Sequence, residues 1–173
     1  MISRAASGIL VPSSQVKRDD AMKKIRWSGY QDMVVDLDRG IRSRFPDDGE
    51  IFLVGIPRGG LLLALHLTYL SKRYEIVPAE DFDFDPERLV IVDDVLESGK
   101  TMEHWLGFLD LDEDPVIAVL VDKTACYPGV RPADICHRRA STKEWVLFPY
   151  EMEEDEGKRA AVHEANCAAE AKL

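Results

Sequence analysis

Short apolar runs alternate along this chain with longer segments in which apolar residues recur at helical spacing. Residues 28–43 have this spacing and predict an amphipathic helix with Ser28 as its N-cap. Residues 60–71 predict a buried helix, and residues 100–109 predict a third helix after a bend of small residues. The other apolar runs predict strands at 51–55, 74–78, 89–93, 116–121 and 133–136, and 144–148 is apolar and aromatic.

The order of these elements predicts an α/β fold with a mostly parallel central sheet flanked by helices. In such sheets ligands bind at the carboxyl ends of the strands, near the point where the strand order reverses. The loops after 51–55, 89–93 and 116–121 should therefore meet at one site. We divide the chain into an extension at 1–26, a main domain at 27–152, and an acidic, alanine-rich tail at 153–173 that is predicted to be helical.

Composition narrows the classes of protein to consider. A chain of 173 residues is long enough for one domain with a core. The formal net charge of −10 argues against a general nucleic-acid binder, because the sequence has no basic stripe that could release counterions from a phosphate backbone. Three cysteines and four histidines lack the spacing of a disulfide framework or a zinc site. With no signal peptide and no apolar run that could span a bilayer, we expect a soluble, cytoplasmic protein without membrane contacts.

The segment LVIVDDVLESGKT at 89–101 carries the clearest chemistry. Asp93 and Asp94 follow a buried strand, and a bend with Ser98 and Gly99 leads into a helix, which is a ready anion site. Carboxylates can bind a diol, and the bend next to them can bind a phosphate. Together they indicate a site for a sugar phosphate. The phosphate loop of nucleoside triphosphatases is excluded, because the position five before Gly99 is Asp94 rather than glycine. The acids could also cap a loop or hold a metal.

Two further loops and one segment add groups that could bind a ligand. In GIPRGG at 55–60, glycines would let the backbone approach an anion beside Arg58, although a plain strand-to-helix turn fits as well. Lys123 follows the strand at 116–121 and is either a solvated loop residue or a donor to a ligand oxygen. Trp145 offers a flat surface next to Val146, yet a tryptophan in this setting is more often part of a core.

In this order, the pieces resemble the type I phosphoribosyltransferases, and within them the 6-oxopurine branch, with the bacterial xanthine-guanine enzymes the most similar. LVIVDDVLESGKTM resembles the family's motif for 5-phosphoribosyl-1-pyrophosphate, and GIPRGG its pyrophosphate loop. VLVDK and EWVLFPYEM resemble the segments that contact the purine. The resemblance implies the family fold with a small hood from the terminal segments, Mg²⁺ as cofactor, and a homo-oligomer, either a dimer or a tetramer.

The resemblance also implies a role for each site residue. Asp93 and Asp94 would hold the ribose hydroxyls near a magnesium ion carried by the substrate, and Glu151 could contact this metal. Glu97 would face purine N7 as a catalytic acid or base. Arg58 would be catalytic at the pyrophosphate, in a loop that often has a cis peptide. The remaining implied contacts are Gly59 and Gly60 with pyrophosphate, Ser98, Gly99, Lys100 and Thr101 with the 5-phosphate, and Lys123, Trp145 and Val146 with the base.

Two departures from the family pattern are visible. Only the acidic residues 79–88 separate the strands at 74–78 and 89–93, where the family has a long mobile loop that closes over the site. A site without such a lid excludes water less well. Glu97 also replaces the aspartate that is usual in the 6-oxopurine enzymes.

Three functional hypotheses follow. The first is a purine phosphoribosyltransferase that makes nucleoside monophosphate and pyrophosphate from a 6-oxopurine base and phosphoribosyl pyrophosphate. The second is a non-catalytic regulatory protein that binds a nucleotide or phosphoribosyl pyrophosphate, with slow hydrolysis of the latter as an enzymatic variant. The third is a plain α/β domain whose acids hold a metal for other phosphate chemistry.

Overall fold

The structure is a computed structural model that describes residues 9–10, 24–78, 86–111, 113–143 and 145–151. The predicted helical tail at 153–173 lies outside the described residues, as do most of the extension at 1–26 and the acidic segment 79–85. The domain boundaries stay predictions. Among the described residues, no helix is both long enough and apolar enough to cross a membrane.

Six strands and three α-helices occupy the described part of the chain, in nearly the predicted order. The helices are α1 (Trp27–Arg44), α2 (Gly59–Leu70) and α3 (Lys100–Leu109). The strands are β1 (Ile9–Leu10), β2 (Ile51–Gly55), β3 (Tyr74–Ile76), β4 (Leu89–Leu96), β5 (Val116–Asp122) and β6 (Ile135–Arg139).

The strands form one sheet in the order β1-β6-β5-β4-β2-β3, and every pairing between them is parallel. This confirms the predicted α/β fold with its central parallel sheet. The chain leaves β2 toward the β3 edge and leaves β4 toward β5, so the strand order reverses between β2 and β4. A ligand crevice is therefore expected at the carboxyl ends of these two strands.

The core lies on both faces of the sheet, and the alternation along β4 shows why. Val90 and Val92 pack on the face covered by α1 and α2, whereas Leu89 and Ile91 pack on the face covered by α3. Successive residues of a strand point to opposite faces, so a strand that is buried on both sides must be apolar at every position. The exposed fraction of all four side chains is 0%.

Two local predictions need correction. Ser28 is not the N-cap of α1, because the helix already begins at Trp27 and its cap residue is Arg26, which makes no side-chain capping bond. The strand predicted at 89–93 continues to Leu96, because Asp93 and Val95 still pair with β5. The two acids therefore lie within the strand rather than at its end, and pairing with a neighbour outweighs the low strand propensity of aspartate.

Candidate functional site

A cavity of about 260 Å³ opens at the carboxyl end of β4 and brings most of the predicted site residues together. It is bounded by the end of this strand, the bend before α3, and the segment 145–151, as expected for a site near a reversal of strand order. Its predicted members are Asp93, Asp94, Glu97, Ser98, Gly99, Thr101, Trp145, Val146 and Glu151, joined by Val95, Leu96, Met102 and Phe148.

Five predicted residues are not part of this lining. Arg58 is exposed and precedes α2, where the peptide bond Pro57–Arg58 is cis, as the family resemblance implies. Gly59 and Gly60 form the first turn of α2, and Lys100 is exposed at the start of α3. Lys123 is discussed below, because it contacts the cavity through another residue.

The two glycines allow the start of α2 to approach the acids of β4. A Cβ atom at Gly59 would lie 1.9 Å from Asp94 Oδ2, and one at Gly60 would lie 2.2 Å from the carbonyl oxygen of Val92. Both distances are far below van der Waals contact, so any side chain would force the helix away from the strand. The glycines therefore serve close packing next to the acids, in addition to the anion approach expected from the sequence.

The acid pair is held by the backbone of its own strand. Asp93 Oδ1 accepts a hydrogen bond from the amide of Asp94 at 2.9 Å, and Asp94 Oδ1 accepts one from the amide of Val95 at 2.8 Å. Burial, followed by the neighbouring charge of Asp94, raises the pKa of Asp93 well above its usual value. This carboxyl therefore favours its neutral form more than a solvated aspartate does.

The bend before α3 has the features of an anion site. Gly99 has a positive φ of 77°, which a side chain would strain, and it stands at the N-cap position without a side-chain capping bond. The first intrahelical bond runs from the amide of Glu103 to the carbonyl of Gly99 at 2.8 Å. The amides at the start of α3 thus point toward the cavity end of the helix, where its dipole favours a negative ligand.

Lys123 is completely buried, which excludes the first of its two alternatives, a solvated loop residue. Its ammonium is paired with the carboxylate of Glu97, whose side chain is 30% exposed and lines the cavity. A buried cation requires a partner because its desolvation is costly. The pair thus places a donor and an acceptor side by side at the edge of the cavity.

Lys123 is fixed by the network around Asp122, the last residue of β5. Asp122 Oδ1 accepts bonds from the amide and the hydroxyl of Thr124 at 2.9 and 2.6 Å. Its Oδ2 accepts bonds from the amide of Ala133 at 3.1 Å and from Arg139 at 2.7 Å. This buried carboxylate holds both sides of the loop that carries Lys123.

The segment 145–151 covers the cavity and pairs with the end of the extension at 1–26. The amide of Ile25 donates to the carbonyl of Leu147 at 2.8 Å, which joins this segment to the residues just before α1. The hood from the terminal segments that the family resemblance implies stays a prediction, because most of those segments lie outside the described residues. Trp145 and Val146 both line the cavity, and they are 43% and 5% exposed, respectively.

Glu151 has a structural contact besides its place at the cavity. Its Oε2 accepts a hydrogen bond from the amide of Phe148 at 2.7 Å, and its own amide donates to the carbonyl of Phe148 at 3.1 Å. These two bonds close the turn from Phe148 to Glu151.

Tyr150 is the residue that the sequence analysis missed. Its hydroxyl donates to Asp94 Oδ2 at 2.7 Å, although the two residues are 56 positions apart. Burial, and next the charge of Asp94, raises the pKa of this phenol above its ordinary value. The only sequence signal was the position of Tyr150 inside EWVLFPYEM, between residues that were assigned roles.

The donors at the cavity fit a metal that is carried by a ligand. Mg²⁺ prefers oxygen ligands and is usually bound by one or two carboxylates together with substrate phosphates. Asp93, Asp94 and Glu151 supply carboxylates at the cavity. Within the described ranges, no three acidic, histidine or cysteine side chains are placed to form a metal site of their own. The residues therefore suit a magnesium ion that arrives with a phosphorylated substrate.

Solved phosphoribosyltransferases share this fold. A purine phosphoribosyltransferase from Pyrococcus horikoshii is 25% identical with a TM-score of 0.57, and the match covers 75% of this chain and 93% of that one. The Helicobacter pylori xanthine-guanine-hypoxanthine phosphoribosyltransferase is 18% identical with a TM-score of 0.59, over 79% and 97% of the two chains. A hypoxanthine-guanine phosphoribosyltransferase from Bacillus anthracis is 19% identical with a TM-score of 0.52, over 66% and 78%.

No sequence-family model matches the chain, and no curated protein does. The similarity is therefore carried by the structure and by the motifs quoted above. It confirms that the chain has the type I phosphoribosyltransferase fold and that the predicted resemblance to the purine phosphoribosyltransferases is correct.

Proposed function

We propose that this protein is a phosphoribosyltransferase that transfers the 5-phosphoribosyl group from phosphoribosyl pyrophosphate to a 6-oxopurine base. The products are a nucleoside monophosphate and pyrophosphate. The observation that supports this best is the single cavity that brings Asp93 and Asp94 together with the bend at 98–101 and with Trp145. The proposal includes a homo-oligomer, either a dimer or a tetramer, as the resemblance implies. It also includes the cytoplasmic location that was expected from the sequence.

Sugar and phosphate would bind along the end of β4. Asp94 accepts one hydrogen bond at each oxygen from the protein, and a carboxylate oxygen has room for a second donor. Ribose hydroxyls are such donors. The amides at the start of α3 and the hydroxyls of Ser98 and Thr101 would hold the 5-phosphate, with Lys100 adding positive charge.

The base would lie between Trp145 and the edge formed by Glu97 and Lys123. A 6-oxopurine that carries its proton at N7 presents an acceptor, the 6-oxo oxygen, beside a donor, the N7–H, and the Glu97–Lys123 pair presents a donor beside an acceptor. Lys123 would share its ammonium between Glu97 and the ligand, because its partner Glu97 lines the cavity. A 6-amino group would meet the ammonium with a donor, so adenine should be rejected.

Transfer breaks the bond between C1 and pyrophosphate and forms a bond between C1 and a ring nitrogen of the base, whose N7 proton would pass to Glu97. As the first bond breaks, positive charge develops on the sugar and negative charge on the leaving group. The acids of β4 lie where they would stabilise the sugar, and Arg58 would stabilise the pyrophosphate. Preorganised charge of this kind is worth about 3–4 kcal/mol for one donor. Bound Mg²⁺, held through the substrate near Asp93, Asp94 and Glu151, would neutralise the pyrophosphate oxygens.

An assay of nucleotide formation tests the proposal directly. The protein is incubated with phosphoribosyl pyrophosphate, Mg²⁺ and radiolabelled guanine, xanthine, hypoxanthine or adenine in separate reactions. We expect labelled monophosphate from at least one 6-oxopurine and none from adenine. Formation of no nucleotide from any base would refute transfer, and formation with adenine alone would refute the role of Lys123.

The short connection between β3 and β4 favours a second candidate function. Only residues 77–88 connect β3 to β4, so a long closing loop cannot come from this connection. A site that excludes water poorly loses catalytic advantage but keeps its ability to bind. The alternative is a regulatory protein that binds phosphoribosyl pyrophosphate or a nucleotide. It predicts binding by calorimetry without nucleotide formation, and pyrophosphate release without any base would indicate slow hydrolysis.

A further inference from the structure

Tyr150 connects the segment 145–151 with the acid pair of β4. Its hydroxyl donates to Asp94 Oδ2 at 2.7 Å, while the amide of Val95 donates to Asp94 Oδ1 at 2.8 Å. The two donors engage different oxygens of the same carboxylate, so together they fix its rotation about the last side-chain bond. Neither bond uses the full acceptor capacity of its oxygen.

The tyrosine is itself held in place. Its ring stacks on Phe148 with centroids 5.5 Å apart and an angle of 6° between the planes. It also meets the edge of Tyr30 at 5.5 Å and 79°. The two hydrogen bonds between Phe148 and Glu151 close the turn that carries it. A hydroxyl on so constrained a ring orients its partner at little entropic cost.

The phenol is also a dependable donor. A phenol O–H can donate to a carboxylate, whereas an ionised carboxylate can only accept. The bond therefore has one direction, with the phenol donating and the carboxylate accepting.

We propose that Tyr150 is a positioning residue that aims Asp94 at the sugar hydroxyls and so makes sugar binding depend on the segment that carries Trp145. This inference rests on the proposed function, since it assigns Asp94 to ribose. Tyr150 does not touch the ligand in this scheme. It acts through Asp94 by holding one oxygen from the side while that oxygen keeps a second acceptor position for the ligand.

The chain contains a second tyrosine–aspartate bond that provides a matched control. Tyr74 donates to Asp38 Oδ1 at 2.8 Å, and Asp38 is 3% exposed. This bond joins β3 to α1, and neither residue lines the cavity. Removing its hydroxyl measures what the loss of such a bond does to stability alone.

The experiment compares ligand affinities of the wild type, Tyr150→Phe and Tyr74→Phe by titration calorimetry. The ligands are ribose 5-phosphate and inorganic phosphate, with thermal unfolding as the check on folding. We expect Tyr150→Phe to bind ribose 5-phosphate roughly tenfold more weakly, because an Asp94 carboxylate that is no longer held must be ordered when the sugar binds. Phosphate affinity should not change in either variant, and Tyr74→Phe should bind both ligands like the wild type.

Deoxy analogues of the sugar show which hydroxyl accounts for the loss of affinity in Tyr150→Phe. With 2-deoxyribose 5-phosphate and 3-deoxyribose 5-phosphate, the wild type should lose affinity for the analogue that lacks the hydroxyl bound by Asp94. Tyr150→Phe should then cause no further loss with that analogue. A purely structural role predicts the same loss for every ligand, phosphate included.

Each remaining outcome has a defined meaning. Equal affinity of the wild type and Tyr150→Phe for ribose 5-phosphate would overturn the inference and leave the proposed function intact. Failure of the wild type to bind any sugar phosphate would overturn both. A second measurement uses the Asp94→Asn background, in which adding Tyr150→Phe should cost much less affinity than it does in the wild type.

Discussion

The Cα atom of Gly59 faces the carboxylate of Asp94 so closely that no side chain fits between them. A Cβ at this position would lie 1.9 Å from Asp94 Oδ2 and 2.4 Å from its Cγ. This oxygen is also the one that accepts the bond from Tyr150. The first turn of α2, the end of β4 and the segment 145–151 therefore converge on one carboxylate.

A methyl group at position 59 should disrupt sugar binding. In Gly59→Ala the carboxylate of Asp94 must move or the helix must shift, and such overpacking typically costs about 1–3 kcal/mol of stability. Because Asp94 loses its orientation, we expect ribose 5-phosphate affinity to fall by more than about tenfold, measured by calorimetry. Gly107→Ala is the control, since a Cβ there meets nothing within 4 Å. It should stabilise α3 by about 0.5–1 kcal/mol and leave affinity unchanged.

The Glu97–Lys123 pair should behave as a strongly coupled unit. Glu97→Gln removes a countercharge from a fully buried ammonium, so the free energy of unfolding should fall by about 2 kcal/mol. Lys123→Met removes the buried charge, and the double variant should be more stable than the sum of the two single changes predicts. Urea denaturation of all four proteins gives the coupling energy.

An ion pair on the surface serves as the reference for this double-mutant cycle. Arg39 and Asp36 are 2.8 Å apart on α1, with side chains 61% and 20% exposed, so their coupling should be at most about 1 kcal/mol. If the Glu97–Lys123 coupling is no larger than this one, the buried pair is not the electrostatic unit described above.

The raised pKa of Asp93 predicts an unusual dependence of stability on pH. An acid whose pKa is higher in the folded state than in the unfolded state binds protons more strongly when folded, so stability is lost as the pH rises through the folded pKa. Asp93→Asn cannot lose a proton. The difference in free energy of unfolding between Asp93→Asn and the wild type should therefore grow in favour of the variant as the pH rises above the ordinary pKa of aspartate.

Asp47 should give the opposite dependence of stability on pH. A hydrogen bond from Arg88, followed by one from the amide of Gly49, lowers the pKa of Asp47 to about 2. Its contribution to stability is present above the ordinary pKa and is lost as the pH falls toward 2. In Asp47→Asn the deficit relative to the wild type should shrink on acidification. For both aspartates, the free energy of unfolding is measured by denaturation without divalent metal. If Asp93→Asn and the wild type show parallel dependences of stability on pH, the raised pKa of Asp93 is contradicted.

Trp145 should contribute to binding of the base and not of the sugar phosphate. Stacking of a base on an aromatic side chain is worth about 1–3 kcal/mol, so Trp145→Ala should weaken the binding of guanosine monophosphate by this amount. Ribose 5-phosphate should bind unchanged. Trp27 is 51% exposed and lines a different cavity, between α1 and α2, so Trp27→Ala is the matched control. Equal losses for nucleotide and sugar phosphate would exclude stacking.

The fold and the centre of the site could be predicted from sequence because both leave local signals. A strand buried on two faces must be apolar at every position, so the run at 89–92 is visible without any knowledge of its neighbours. A parallel sheet then places the loops after β2 and β4 at one edge. The acids and the small-residue bend follow from the chain order alone, and the cavity contains both.

What only the tertiary structure decided are the contacts between residues far apart in the chain. Tyr150 and Asp94 are separated by 56 positions, and Lys123 and Glu97 by 26. The pattern of apolar positions states which residues are buried, but it carries no information about the side chain that a buried charge or a hydroxyl will meet. That choice depends on how the elements pack. The sequence therefore determined most of the residues that line the cavity, whereas packing determined their partners.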